Sequence, residues 1–125
     1  MAKTVFLATL LVLGAAAPAG AAGAADGGLN GDWAVTSPLW ARPHLCSFRQ
    51  VQGVLSGYCE GPHGHGNGSG TVHGNAMAWA WPAVTARGTT TWYLTGVLGA
   101  DGAIHGTLRH GPLTRDFIAR RPALG

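Results

Sequence analysis

The chain has 125 residues, which is room for one domain and one modest core. Charged residues make up 10% of it, glycine fills 21 positions, and five Trp, two Tyr and three Phe are present. Disordered chains carry more charge and fewer aromatic rings, so this composition indicates a packed domain. The formal net charge is only +3, and the basic residues form no dense stripe, which argues against nucleic-acid binding.

The N-terminus has the organisation of an export signal. Lys3 supplies a positive charge, residues 5–13 are apolar, and a run rich in Ala and Gly with several A-x-A triplets follows. The alternative, a transmembrane anchor, is disfavoured because a span needs about 20 apolar residues. We predict a cleaved signal at residues 1–25, a short flexible N-terminus at 26–30 and one domain at 31–122. The mature protein is expected to be secreted or periplasmic, with no membrane span.

The segment 46–59 predicts a hairpin closed by a disulfide. If Gln52-Gly53 is a two-residue turn, Cys46 faces Cys59 on a non-hydrogen-bonded pair, where Cα atoms lie about 4.5 Å apart. That distance is within reach of a disulfide. A three-residue turn would shift the register and misalign the cysteines. Two cysteines in an exported protein most often form one bridge, so we predict Cys46–Cys59.

A second hairpin is predicted over residues 70–81, with its turn at Gly74-Asn75. Large and small side chains alternate after this turn, which is typical of a strand with one face buried. Pro82 is expected to end the strand, because proline cannot donate to the ladder.

The remaining elements complete a β-meander. A first strand begins at Gly31, a third hairpin covers residues 90–109 with its turn near Asp101-Gly102, and a closing strand covers 113–120. Eight short, locally connected strands close best as a barrel, because closure removes the exposed edges. The predicted fold is all-β, an antiparallel up-and-down meander closing as a small barrel of about eight strands. Along the predicted strands, a glycine recurs two residues after an apolar residue, at Gly57, Gly74, Gly96 and Gly106. Glycine within a strand allows the tight curvature that a narrow barrel needs.

The motif Gly31-Asp32-Trp33 resembles the G-x-W opening of calycin-type barrels, such as avidins and lipocalins. Those families have an arginine on the last strand that packs near this tryptophan, and the run that ends F-I-A-R at Arg120 is similar. The resemblance implies that Trp33 and Arg120 close the barrel, with Arg121 as the alternative. The short motifs along residues 31–121 also resemble small exported bacterial barrels of unassigned function.

Tryptophans on different predicted strands are the candidate ligand contacts, because most would point inward. Aromatic-lined barrel mouths bind small apolar or ring-shaped ligands. The other interpretation, which we favour for a domain of this size, is that the rings simply fill the core. Trp40 follows Pro38 in an irregular stretch and is expected at the surface. The four candidates are Trp33, Trp79, Trp81 and Trp92.

Histidines in a glycine-rich stretch are the candidate metal ligands. His63 and His65 alternate and His73 follows, a spacing that suits Zn or Cu if a third ligand is present. We favour instead a flexible glycine loop between strands. This stretch lacks the lysine and helix of a P-loop, so no cofactor is expected. The acidic residues are dispersed, and neither serine in a nucleophile context nor free cysteine stands out, so no enzyme is predicted.

These features predict a small exported, non-enzymatic barrel that binds a small ligand at one mouth or acts as a surface-interaction scaffold. As an alternative, G-x-W followed by Cys46 is similar to periplasmic metalloprotease inhibitors, which are eight-stranded barrels with one disulfide. That resemblance implies a partner protease, reached by residues 26–30 or by the Trp40 loop. Weak metal binding through His63 and His65 is a third interpretation.

Overall fold

A computed structural model describes residues 28–123, which form a closed antiparallel barrel. Each strand pairs with the next, and the last pairs with the first. The predicted all-β meander of eight strands is therefore confirmed. The predicted signal, residues 1–25, lies outside the described residues. The strands are β1 Gly31–Thr36, β2 His44–Val51, β3 Val54–Gly61, β4 Gly64–His73, β5 Ala76–Thr85, β6 Gly88–Leu98, β7 Ile104–His110 and β8 Leu113–Arg120.

The hairpin β2–β3 has the predicted register and the predicted disulfide. Val51 lies opposite Val54, and Cys46 lies opposite Cys59 with a Cα–Cα distance of 4.1 Å. Both sulfur atoms belong to buried residues that face the barrel interior. The bridge therefore fixes the pairing of β2 with β3 and forms part of the inner wall.

The glycine-rich stretch is a strand, and the prediction of a flexible loop there is wrong. β4 begins at Gly64 and pairs with the whole of β3, from the partners Gly61 and Gly64 to the partners Val54 and Thr71. The glycines serve close packing in the wall: a Cβ at Gly68 would run into the indole ring of Trp79. Low β-propensity is overridden here because the inward-facing ring needs the space.

β5 continues through Pro82 to Thr85, so the prediction that Pro82 ends the strand is also wrong. The β4–β5 pairing is interrupted around this proline, between the partners Ser69↔Ala80 and His65↔Val84. Next to Pro82, the indole Nε1 of Trp81 donates to a β4 backbone oxygen at 2.9 Å. A proline is tolerated because the ladder is already open at its position.

One end of the barrel is closed by Arg121, and we call it the arginine end. The guanidinium of Arg121 lies 4.0 Å from the ring centre of Trp33 and donates to the carbonyl oxygens of Gly28 and Asn30. The indole of Trp33 donates to the oxygen of Leu29 at 2.9 Å. The guanidinium of Arg121 and the indole of Trp33 are therefore both hydrogen-bonded to the backbone that precedes β1.

The closure pair is thus Trp33 with Arg121, and the choice of Arg120 over Arg121 is corrected. Arg120 lies opposite Ala34 and is exposed. Ala119, one residue earlier, is buried in the core. Successive strand residues point to opposite faces, so Arg120 points outward and Arg121 turns back over the end of the barrel.

Removing the disulfide should lower the free energy of unfolding by about 3 kcal/mol, the value expected for a loop of this size. The change is Cys46→Ala with Cys59→Ala, measured by urea unfolding. The control is Arg49→Ala with Ser56→Ala, an outward-facing pair on the same two strands that leaves the bridge intact. A loss no larger than that of the control would contradict the stabilising role of the bridge.

Gly106→Ala should destabilise the barrel by roughly 2 kcal/mol, because overpacking a filled wall costs about 1–3 kcal/mol. A Cβ at Gly106 would collide with the backbone of Thr95 and Gly96 on β6. Gly99→Ala is the matched control, since a Cβ there would come nearest to the carboxylate of Asp101, at 3.0 Å, and would lie 3.6 Å or more from any backbone atom. Equal stability of the two variants in urea unfolding would argue against the close approach.

Candidate functional site

The end of the barrel opposite Arg121 collects histidine and tryptophan rings, and we call it the histidine end. The up-and-down order of the strands brings these rings together, because β2 and β6 begin at this end and β5 and β7 finish at it. The segment 37–43 and the turn between β3 and β4 add two further rings. The six residues of this cluster are Trp40, His44, His63, Trp81, Trp92 and His110.

Trp40 contacts three other rings of the cluster. Its ring centre lies 3.9 Å from that of His44 and 5.4 Å from that of Trp92, which it meets edge to face. His110 stacks on the other side of Trp92 at 4.0 Å. Trp40 is 8% exposed, so the expectation that it lies at the surface is wrong. Burial against these rings outweighs its position in an irregular segment.

His44 is buried and neutral. Its Nε2 accepts the backbone N–H of His63 at 3.2 Å, and the two imidazoles are stacked with centres 5.5 Å apart. Burial, and to a smaller degree the neighbouring His63, lower the pKa of His44 from 6.5 to about 4. Because Nε2 accepts a hydrogen bond, the neutral ring carries its proton on Nδ1, which is therefore a donor.

Several buried N–H donors, at the histidine end and deeper in the barrel, have no acceptor within the described residues. They are Nδ1 of His44 and the Nε1 atoms of Trp40, Trp79 and Trp92. By contrast, the indoles of Trp33 and Trp81 each donate to a backbone oxygen at 2.9 Å. Most buried polar groups in proteins are hydrogen-bonded, so each of these four donors needs an acceptor that the described residues do not supply, such as a water or a ligand.

The four predicted ligand tryptophans are all buried, but the structure does not bring them to one mouth. Trp81 and Trp92 are cross-strand partners at the histidine end, and Trp79 lies deeper, where its ring meets Phe48. Trp33 belongs to the arginine end. The interior between them holds a void of about 10 Å³, which is space for one water molecule and not for a ligand.

The three predicted metal ligands do not form one site. His65 and His73 lie near opposite ends of β4, roughly 26 Å apart for eight residues of extended strand. Of the three, only His63 contributes a ring to the cluster, whereas His65 lines the outer depression beside it. Among residues 28–123, no group of three or more His, Cys, Asp or Glu side chains is arranged to hold a metal ion.

Sequence reasoning missed three members of the cluster. His44 stands two residues before Cys46 on β2, so the alternation with Cys46 and Phe48 could have placed it on the inner face. His110 is the last residue of its strand and directly precedes the Gly111-Pro112 break. No local pattern marks Trp40, whose burial depends on contacts distant in sequence.

None of the described residues forms a helix long and apolar enough to span a membrane. The chain matches no known protein family, no curated protein and no solved structure at a significant level. The assignment of a function therefore depends on the geometry of the barrel and its two ends.

The stability of the protein should fall as the pH is lowered from about 6.5 to about 4. In this range the unfolded chain binds a proton on His44 that the folded state does not accept. The full effect is about 3 kcal/mol, present as stability above pH 6.5 and lost by about pH 4. Urea unfolding at about pH 7, 5.5 and 4.5 measures it.

His44→Gln isolates this effect, because the glutamine keeps an acceptor for the His63 N–H but does not titrate. We expect this variant to lose less stability than the wild type over the same pH range. His73→Gln, at an exposed histidine on β4, is the control and should behave as the wild type. Equal pH dependence in all three proteins would show that His44 is not the titrating group.

Proposed function

We propose that this chain is an exported, non-enzymatic binding protein and that it binds a small ligand at the histidine end. The signal-like N-terminus supports export, and the Cys46–Cys59 disulfide is consistent with an oxidising compartment. The pairing of Trp33 with Arg121 supports the resemblance to calycin-type barrels, many of which carry small molecules.

The observation that carries this proposal is the difference between the two ends. At the arginine end the indole of Trp33 and the guanidinium of Arg121 all reach backbone oxygens. At the histidine end and in the interior next to it, four buried N–H groups have no acceptor among the described residues. A buried unpaired donor costs about 1–3 kcal/mol, and a bound ligand that accepts hydrogen bonds removes this cost.

The protease-inhibitor alternative loses support. Trp40 is buried, and Leu29 of the predicted N-terminal arm is buried as well. Arg121 ties the backbone of Gly28 and Asn30 to the barrel. The side chains of Trp40 and Leu29 are therefore packed into the barrel and are not free to insert into a protease.

A second candidate, a surface-interaction scaffold, is favoured by one feature of the outer wall. An open depression of about 840 Å³ lies beside the histidine end and is lined in part by Arg42, Leu45, Tyr58, Glu60 and His65. Leu45 and Tyr58 are 51% and 40% exposed there. Exposed aliphatic and aromatic side chains bordered by charges are typical of protein contact surfaces.

Native mass spectrometry separates the two candidates. The processed, oxidised protein is incubated with an extract of the compartment to which it is exported, reisolated and weighed without denaturation. We expect the mass of the processed chain less two hydrogens, plus a small molecule. This added mass should be lost in the His63→Ala, His110→Ala variant, which changes only the rim of the histidine end.

The matched control is Leu45→Ala with Tyr58→Ala, which alters the outer depression and should retain the added mass. Loss in the control with retention in the histidine variant would move the site to the outer wall. A bound protein in place of a small molecule would favour the scaffold. If the protein reisolated from the extract has only the mass of the processed chain, the proposal that it binds a small ligand is contradicted.

A further inference from the structure

Trp40 is held differently from the other rings of the interior. Trp79, Trp81 and Trp92 lie on paired strands, Trp79 with a partner on each side and Trp81 opposite Trp92, whereas Trp40 belongs to the irregular segment 37–43. The hydrogen bonds recorded for this segment are internal to it: Trp40 N donates to the oxygen of Ser37 at 3.0 Å, and Leu39 N donates to the Ser37 hydroxyl at 3.3 Å. The segment can therefore move without breaking the barrel ladder.

The ring of Trp40 is one wall of the interior void. The opposite walls come from strand residues, including His44, Trp79, Trp81 and Leu94, and from the disulfide. If the Trp40 ring swings outward, the void joins the space that the indole leaves. The result is an aromatic cup of the size of one bicyclic ring, with walls that the barrel and the Cys46–Cys59 bridge keep in place.

The polar groups of this cup are donors. Nδ1 of His44 carries a proton, because Nε2 accepts from the backbone of His63. The Nε1–H groups of Trp79 and Trp92 also lack acceptors among residues 28–123. The rings favour a flat occupant through stacking, and the donors favour one with acceptor atoms.

We propose that Trp40 is a displaceable lid over a binding site for a planar heterocycle that carries hydrogen-bond acceptors, either ring nitrogens or carbonyl oxygens. This inference rests on the proposed function and specifies its ligand. Trp40 itself is the occupant of the mouth in the closed state, and the ligand takes its place against His44 and Trp92. An acceptor-bearing ring satisfies donors that the closed protein leaves unpaired, whereas a hydrocarbon of the same shape does not.

The test compares quinoxaline with naphthalene, two bicyclic rings of the same shape, of which only quinoxaline has ring nitrogens. Each is titrated into the oxidised, ¹⁵N-labelled protein, and the five indole N–H signals are followed by NMR. We expect quinoxaline to bind at least about tenfold more tightly than naphthalene, because it alone pairs with the donors. The signals of Trp40, Trp79 and Trp92 should shift, and that of Trp33 at the arginine end should not.

Two variants test the lid. Trp40→Ala should bind quinoxaline at least about tenfold more tightly than the wild type, because no closed state competes with the ligand. Pro38→Gly keeps the tryptophan but loosens its segment and should also strengthen binding, which covers the case in which Trp40→Ala does not fold. Tyr58→Ala, on the outer wall, is the control and should bind as the wild type.

Three results would overturn the inference. Equal affinity for quinoxaline and naphthalene would mean that the donors do not select the ligand. Binding that is no tighter in Trp40→Ala and Pro38→Gly would mean that Trp40 is not a lid. Binding of neither probe to any variant would exclude this ligand class. None of these three results decides the proposed function, which the native mass spectrometry experiment tests separately. A small molecule found in that experiment would then belong to a different chemical class from planar heterocycles.

Discussion

The barrel depends on the pairing of its first and last strands, because without it β1 and β8 would be exposed edges. This seam is short, with three Cα partners from Ala34↔Arg120 to Thr36↔Ile118. Contacts beyond the ladder reinforce it. The Thr36 hydroxyl donates to the oxygen of Ile118, and Arg121 reaches from the end of β8 across to the backbone before β1. The stack of Arg121 on Trp33 is therefore part of the closure, and a lysine there would lack its planar fork.

Closure with only eight strands makes the interior narrow. Four large inward side chains are accommodated there with a glycine as their cross-strand partner. The partners are Phe48↔Gly57, Trp79↔Gly70, Met77↔Gly96 and Phe117↔Gly106. The high glycine content is thus a packing requirement, since glycine in a strand otherwise weakens it.

The sequence analysis predicted correctly wherever two independent local signals agreed. The Gln52-Gly53 turn and the cysteine spacing pointed to one register, and the structure has that register. Prediction failed where a local signal was overridden by a contact distant along the chain. Pro82 remains within a strand beside an interrupted ladder, and Trp40 is buried by rings from other strands. The arginine was misassigned by one residue because the alternation across the end of β8 was not followed.

Of the candidate site, the sequence could identify ring types but not their partners, since hydrogen bonding of an indole is a tertiary property. All five tryptophans have the same donor, yet only Trp33 and Trp81 find a backbone oxygen. Trp33 does so at the arginine end and Trp81 within the histidine-end cluster, so the barrel can satisfy an indole at either end. Phenylalanine would fill the positions of Trp79 and Trp92 with no donor to leave unpaired. A chain that keeps three such N–H groups and a buried His44 gives up stability unless an acceptor from outside the chain pairs with them, and a ligand with acceptor atoms supplies one.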